Sequence, residues 1–267
     1  MINNISIMII LLLVLLGLSF GSFINAFVWR LHERVDWLKR RSECDYCHHV
    51  LSPLDLIPIF SWLALRGKCR YCHKPLSWQY PLSELTTAGL FCISYVYWPF
   101  SLSGVGLFQF ICWLVLVVGF VGLTIYDLKW RTLPDRIVFF LVSVSIIQLL
   151  VVSIVGDNIK YLIGGFIGAA VIAGMFYLIF QLSNGKWIGG GDVKLGVCLG
   201  LVVGGPVNAV LLIFIASLAG TLFAIPLLLR HKTINVNIPF GPYLMLATIV
   251  VFFLGNDITS WYKHLIT

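Results

Sequence analysis

Residues 105–126 read VGLFQFICWLVLVVGFVGLTIY, and Asp127 closes the run. An uncharged stretch of this length can cross a bilayer as a helix, which needs about 20 residues. In lipid a spanning segment must satisfy its own backbone N–H and C=O groups, so a single apolar run of this kind is a helix. A carboxylate at membrane depth is costly, which makes Asp127 a functional candidate from the outset.

Working outward, comparable runs occupy roughly 5–29, 83–98, 137–155, 160–182, 193–204, 207–229 and 240–256. Eight spans are therefore predicted. The sixth is short, and Gly204-Gly205-Pro206 separates it from the seventh; one long broken segment is the alternative reading there. Composition agrees with a membrane solvent. The chain is 60% hydrophobic and 11% charged, with mean hydropathy +0.97, whereas a soluble domain has about 45–50% apolar and about 25% charged residues. The predicted class is an all-α polytopic membrane protein. Residues 1–27 hold no Lys or Arg. The run Ile5–Phe27 exceeds the roughly 7–15 apolar residues of a signal peptide, so it is expected to stay as the first helix.

The net charge is +7. With eight spans, sixteen of the 18 basic residues fall on one side, nine of them in the loop 30–80; only Lys160 and Lys263 fall on the other. Cytoplasmic loops collect positive residues, so the loop is expected on the cytoplasmic side and both termini outside. No basic, aromatic-interleaved surface is visible, and no nucleic-acid partner is expected.

At about 50 residues the loop is marginal for a core of its own and needs a staple. It contains Cys44-Asp45-Tyr46-Cys47, then 21 residues, then Cys69-Arg70-Tyr71-Cys72. Two such pairs suit a tetrahedral four-thiolate zinc site, though the spacing is one residue beyond the usual window of about 15–20. Arg40, Arg41, Lys68 and Arg70 are placed to favour the thiolates. His48 and His73 follow the pairs and also spell the c-type haem attachment string, which the cytoplasmic placement opposes. Two disulfides are disfavoured by a reducing compartment, and a reduced or redox cysteine cluster stays open. Cys92, Cys112 and Cys198 lie in apolar runs and read as small buried hydrophobes.

A second carboxylate, Asp192, opens an apolar run after Gly189-Gly190-Gly191. Two close carboxylates in low dielectric share one proton, so one can act as base on water while the other polarises a carbonyl. This chemistry needs no metal or cofactor. The glycines would let the backbone unwind and a substrate approach closely. Position alone equally fits two helix-end aspartates paired with Lys129 and Lys194. Asp135 reads as an N-cap, Glu84 as a helix-start residue favoured by the dipole, and Asp157 and Asp257 as loop residues.

Several motifs, in order along nearly the whole chain, resemble bacterial prepilin peptidases. They are Phe20-Gly21-Ser22-Phe23-Ile24-Asn25 with Trp29-Arg30-Leu31, the two cysteine pairs, Ser61-Trp62 to Gly67-Lys68-Cys69, Tyr80-Pro81-Leu82-Ser83-Glu84-Leu85, Asp127 through Leu133-Pro134-Asp135, Gly189 to Leu195 of Gly-x-Gly-Asp type, and Pro239-Phe240-Gly241-Pro242. Asp45 departs from the Pro that many members carry. The resemblance implies an intramembrane aspartyl endopeptidase with Asp127 and Asp192 as the catalytic pair. It implies cleavage of type IV prepilin, pseudopilin or competence-pilin leaders after a Gly at the cytoplasmic face, and N-methylation of the new terminus with S-adenosylmethionine. It divides the chain into a first helix (1–29), a zinc loop associated with methyl transfer (30–80) and a peptidase domain (81–267). Arg30 and Glu84 are its candidate cofactor contacts, since no Gly-x-Gly-x-x-Gly fingerprint is present. The rival expectations are a membrane transporter or a pilus-assembly scaffold with a zinc-stabilised loop, and a membrane-anchored electron-transfer protein.

Overall fold

The computed structural model describes residues 4–36, 41–231 and 239–266, with the backbone alone for 227–231 and 266. Among these the long elements are all helices: α1 (Asn4–His32), α2 (Phe60–Ala64), α3 (Gln79–Val96), α4 (Gly104–Trp130), α5 (Asp135–Val155), α6 (Ile159–Ser183), α7 (Gly190–Val203), α8 (Pro206–His231) and α9 (Gly241–Ile266). Each of the eight expected spans falls on one of them. Six, namely α1, α4, α5, α6, α8 and α9, are long and apolar enough to cross a membrane. The other two are shorter, α3 with 18 residues and α7 with 14. Gly204 and Gly205 take φ of 62° and 70° and separate α7 from α8, so the sixth and seventh expected spans are distinct helices. Asp257, expected in a loop, lies inside α9.

The chain packs as two units, residues 1–98 and 99–267. In the first, α1 and α3 pack face to face. Their backbones approach closely at two glycines: a Cβ on Gly21 would lie 2.6 Å from Glu84 Cα, and one on Gly17 2.5 Å from Ala88 Cα. Small residues permit this approach where helices meet in lipid. A buried polar seam joins the same pair, with Asn25 donating to Ser83 and accepting from Gln79. Between α1 and α3 runs the cysteine loop, with a 3-10 turn at Pro53–Leu56 and the short α2.

In the second unit α7 is central, packed against α5, α6, α8 and α9, while α4 packs on α5 and α9. Glycines again set the spacing: Gly200 abuts Gly168 and Ala169, and Gly196 meets Ile172 and Phe176. The core holds Trp113, Phe120, Leu141, Ile172, Leu195, Leu199 and Leu244, all essentially buried, and Trp113 stacks on Phe252 with ring centroids 4.0 Å apart. Large apolar side chains such as Ile147, Phe166, Phe214 and Leu222 stay exposed on the outside. That surface suits a lipid solvent, in which backbone pairing is closed within each helix.

Candidate active site and metal centre

Asp127 lies in the last turn of α4, and its residue is only 6% exposed. Asp192 lies in the first turn of α7 and is half-buried. These residues, 65 positions apart in sequence, lie near enough for the charge of Asp127 to be felt at Asp192. The Gly241 N–H, at the start of α9, donates to Asp127 Oδ2 at 3.2 Å. The Gly189 backbone N–H serves the Asp192 carboxylate. Both acids therefore face helix N-termini, where partial positive charge and unpaired N–H groups favour an anion.

The glycine run behaves differently from its expectation. Gly189 is the extended N-cap of α7, and Gly190 and Gly191 are already helical. Gly191 allows a close approach within the fold itself: a Cβ there would lie 3.0 Å from the Cβ of Leu133, in the link that precedes α5.

The alternative of helix-end aspartates paired with lysines also fails on geometry. Lys194 gives its ammonium to both oxygens of Asp135, each at 2.8 Å, and Lys129 lies over the Trp130 ring. Asp135 is consequently not the N-cap expected of it. Pro134 holds that position, and Asp135 is the first residue of α5. The Asp135–Lys194 pair ties the start of α5 to the helix end that carries Asp192.

The four thiols of Cys44, Cys47, Cys69 and Cys72 converge, with all Sγ atoms within 4.8 Å of one another. Cys44 Sγ and Cys72 Sγ are 3.8 Å apart, close to the edge of a tetrahedron with Zn–S bonds of about 2.3 Å. The two knuckles repeat one geometry. Cys44 N–H donates to His49 O and His48 N–H to Cys44 O; Cys69 N–H donates to Lys74 O and His73 N–H to Cys69 O. His48 and His73 both take left-handed φ, at 54° and 56°. Thiols from both pairs meeting at one point suit a single metal rather than two haem attachments. Burial pushes the Cys69 thiol up, but N–H groups of Cys72 and Tyr71 and hydrogen bonds from Cys44 and Cys72 outweigh it and hold it at about 7. A thiolate, the form a metal requires, is thus accessible near neutral pH.

The expected basic support is only partly present. Arg40 lies outside the described residues. Arg70 turns to Asp55, its Nε 2.6 Å from Oδ1, because Asp55 sits beneath the second knuckle and also accepts from Tyr71 and Ser52. The Asp55 side chain is 3% exposed.

A cavity of about 410 Å³ opens beside the cysteines within the first unit. Arg30 and Glu84, the two candidate cofactor contacts, both line it. Arg30 Nη2 donates to Ser42 Oγ at 3.2 Å. Glu84 is 5% exposed and accepts from the Ile59 N–H at 2.7 Å and from Ser22. Glu84 is the sixth residue of α3, beyond the first turn, so the helix dipole does not account for it. Ile59 stands at φ 60°, ψ −52°, with Phe60 N–H bonded to Pro58 O. That is a γ-turn on a β-branched residue, a strained form. Asp55 and Trp62 also line the cavity; Asp55 carried no signal beyond its residue type, and Trp62 stood within a quoted motif without a role. Gly241 stood within a quoted motif, but a backbone donor reaching Asp127 across 114 positions leaves no side-chain trace.

Residues 15–98 match the bacterial peptidase A24 N-terminal domain, and residues 108–225 match the type IV leader peptidase family. Three similar proteins are each named prepilin leader peptidase/N-methyltransferase. The one from Xanthomonas campestris is 33% identical, with 92% of each chain covered. That from Bacillus subtilis is 30% identical over 94% of this chain and 96% of its own, and that from Pseudomonas aeruginosa 32% identical over 95% and 93%. No solved structure matches the chain. Similarity of this extent runs through both units, the aspartate pair and the cysteine loop alike, and the chain belongs to the type IV leader peptidase family.

Proposed function

We propose that this membrane protein is an aspartyl endopeptidase that removes the leader of type IV prepilins, pseudopilins or competence pilins after a Gly at the cytoplasmic membrane face, and that it then N-methylates the new terminus. The observation that supports the cleavage half is that Asp127 and Asp192 are electrostatically coupled and that each is served by a backbone N–H at a helix start. The names of the relatives support both halves. The charge distribution of the loops supports a cytoplasmic site with both termini outside.

In the proposed reaction the pair shares one proton. The ionised carboxylate takes a proton from water as the water oxygen bonds to the scissile carbonyl carbon, and the protonated carboxyl gives its proton to the carbonyl oxygen. When the resulting gem-diol collapses, the C–N bond breaks, the leaving amine takes a proton from the carboxyl that had accepted one, and a gem-diol hydroxyl returns its proton to the other carboxylate, which restores the one-proton pair. Gly189, Gly190 and Gly191 leave the α7 start free of side chains beside this chemistry. Residues 81–267 supply the peptidase and residues 30–80 the cysteine loop. Cys44, Cys47, Cys69 and Cys72 would hold a structural zinc ion that fixes the loop fold. S-adenosylmethionine supplies the methyl group when bound.

The test incubates purified protein with a prepilin-like peptide, with and without S-adenosylmethionine, and reads product masses. Asp127→Asn and Asp192→Asn are each expected to abolish leader cleavage in a folded protein. Full cleavage by either variant would refute the pair.

A further inference from the structure

We propose that the cavity between α1, the cysteine loop and α3 is the S-adenosylmethionine site, with Glu84 receiving a positive centre of the ligand and the Trp62 indole N–H donating to it. This rests on the methyl-transfer half of the proposed function and gives that half a location.

Size comes first. Small-molecule pockets run from about 300 to 1,000 Å³, and this one holds about 410 Å³. Charge decides the class of ligand. Glu84 is buried, and among the described residues it takes part in no ion pair; its partners are a backbone N–H and a hydroxyl. A buried carboxylate without a cation is costly, and its cost falls when a cation fills the space beside it. S-adenosylmethionine carries two positive centres, the sulfonium and the α-ammonium, together with a carboxylate that Arg30 on the same wall can meet.

Polar and aromatic groups complete the fit. Trp62 lines the cavity, and its Nε1 is enclosed without a hydrogen-bond partner; a small turn of the indole would bring this orphaned donor to an adenine nitrogen or ribose oxygen. Trp29 adds a second aromatic face to the lining, suited to a flat purine. The strained turn at Ile59 aims its N–H at Glu84, so the carboxylate is oriented before any ligand arrives.

The test measures binding of S-adenosylmethionine and of S-adenosylhomocysteine to the full-length protein in nanodiscs by calorimetry, for wild type, Glu84→Gln and Trp62→Phe. Glu84→Gln keeps the shape and the hydrogen bond from Ile59 and removes only the charge. Zinc content and thermal melting certify the fold of each variant. Glu84→Gln is expected to weaken S-adenosylmethionine roughly 10- to 100-fold, as for loss of a charged hydrogen-bonding partner. A loss confined to S-adenosylmethionine places the sulfonium at Glu84, and an equal loss for both ligands places the ammonium there. Trp62→Phe is expected to weaken both ligands several-fold. If the wild type binds S-adenosylmethionine and both folded variants bind it equally well, this site is overturned while methyl transfer stands. If the wild type cleaves prepilin peptide but binds no S-adenosylmethionine, the methyl-transfer reading itself falls, and this site with it.

Discussion

The Gly241 N–H lies 3.2 Å from Asp127 Oδ2, and a Cβ built on Gly241 would stand 2.6 Å from that same oxygen. The amide can serve the carboxylate only because no side chain intervenes. Gly241→Ala must therefore displace either α9 or Asp127. Misplacing a catalytic group by about 1 Å can cost on the order of 100-fold in rate. Cleavage of a prepilin peptide by Gly241→Ala should fall by about 10- to 100-fold in kcat with KM little changed. Gly255→Ala, also in α9, serves as the control, because it crowds Val251 of its own helix and Asn208 of α8 and no carboxylate. A Gly241→Ala enzyme with wild-type kcat would show that the contact has no catalytic weight.

The Asp135–Lys194 pair joins two half-exposed side chains. Exposed pairs contribute about 0–1 kcal/mol to stability, so Asp135→Asn should barely change the melting temperature. Its effect should appear in cleavage as a loss of several-fold, through a looser α7 start. Combining it with Lys194→Met should add nothing further, since both changes remove one interaction. Additive losses in that double-mutant cycle would refute the clamp.

The cysteine knuckles should hold one zinc ion per chain, detectable by elemental analysis. Cys44 and Cys69 are both buried, and removing a ligand leaves converging thiols without the ion that unites them. Cys44→Ser or strong chelation should release the metal and open the loop to proteolysis between residues 41 and 76. Methylation should suffer more than cleavage. Equal zinc content in wild type and Cys44→Ser would contradict the assignment.

Asp55 allows a pH test. Burial alone would raise its carboxyl, but hydrogen bonds from Arg70, Ser52 and Tyr71 overcome this and hold it at about 2, below its ordinary 3.8. A lowered carboxyl stabilises the fold fully above its unfolded value, and the effect is lost as pH falls toward the folded value. Asp55→Asn should therefore melt earlier than wild type at pH 7, by about 1.5–3 kcal/mol as for hydrogen bonds to a charged group. That margin should stay level from pH 7 to pH 5 and narrow only below about pH 4. A margin that shrinks between pH 7 and pH 5 would assign the effect to another group.

Much of this architecture was legible in sequence. Apolar runs mark all eight long helices because lipid tolerates nothing else over such lengths. The cysteine spacing marks the metal site because ligand geometry restricts it. What stayed hidden depends on contacts between distant segments. Lys194 was open to pairing with Asp127 or Asp192, yet its partner is Asp135, 59 positions away. Arg70 was expected to face thiolates and instead serves Asp55. Glu84 was a candidate cofactor contact by resemblance, but its partner stayed hidden, because that partner is the backbone of a strained Ile59. Hydropathy reports which solvent a segment prefers, not which polar atom it meets.

The shortness of α7 sets a depth. Its 14 residues span roughly 21 Å, against a hydrocarbon core of about 30 Å. Beside it, α6 has 25 residues, and α7 is recessed at both ends of that neighbour. Gly205 N–H bonds to Gly164 O, well inside the α6 start, and a Cβ on Gly190 would lie 3.8 Å from the ring of Phe180, which stands before the α6 end. Asp192 is thus sunk below the rim rather than perched on it. Hydrophobic mismatch then becomes a control on reactivity: in bilayers of longer acyl chains the carboxylate lies farther from bulk water, and the cleavage rate should decline as the lipid thickens.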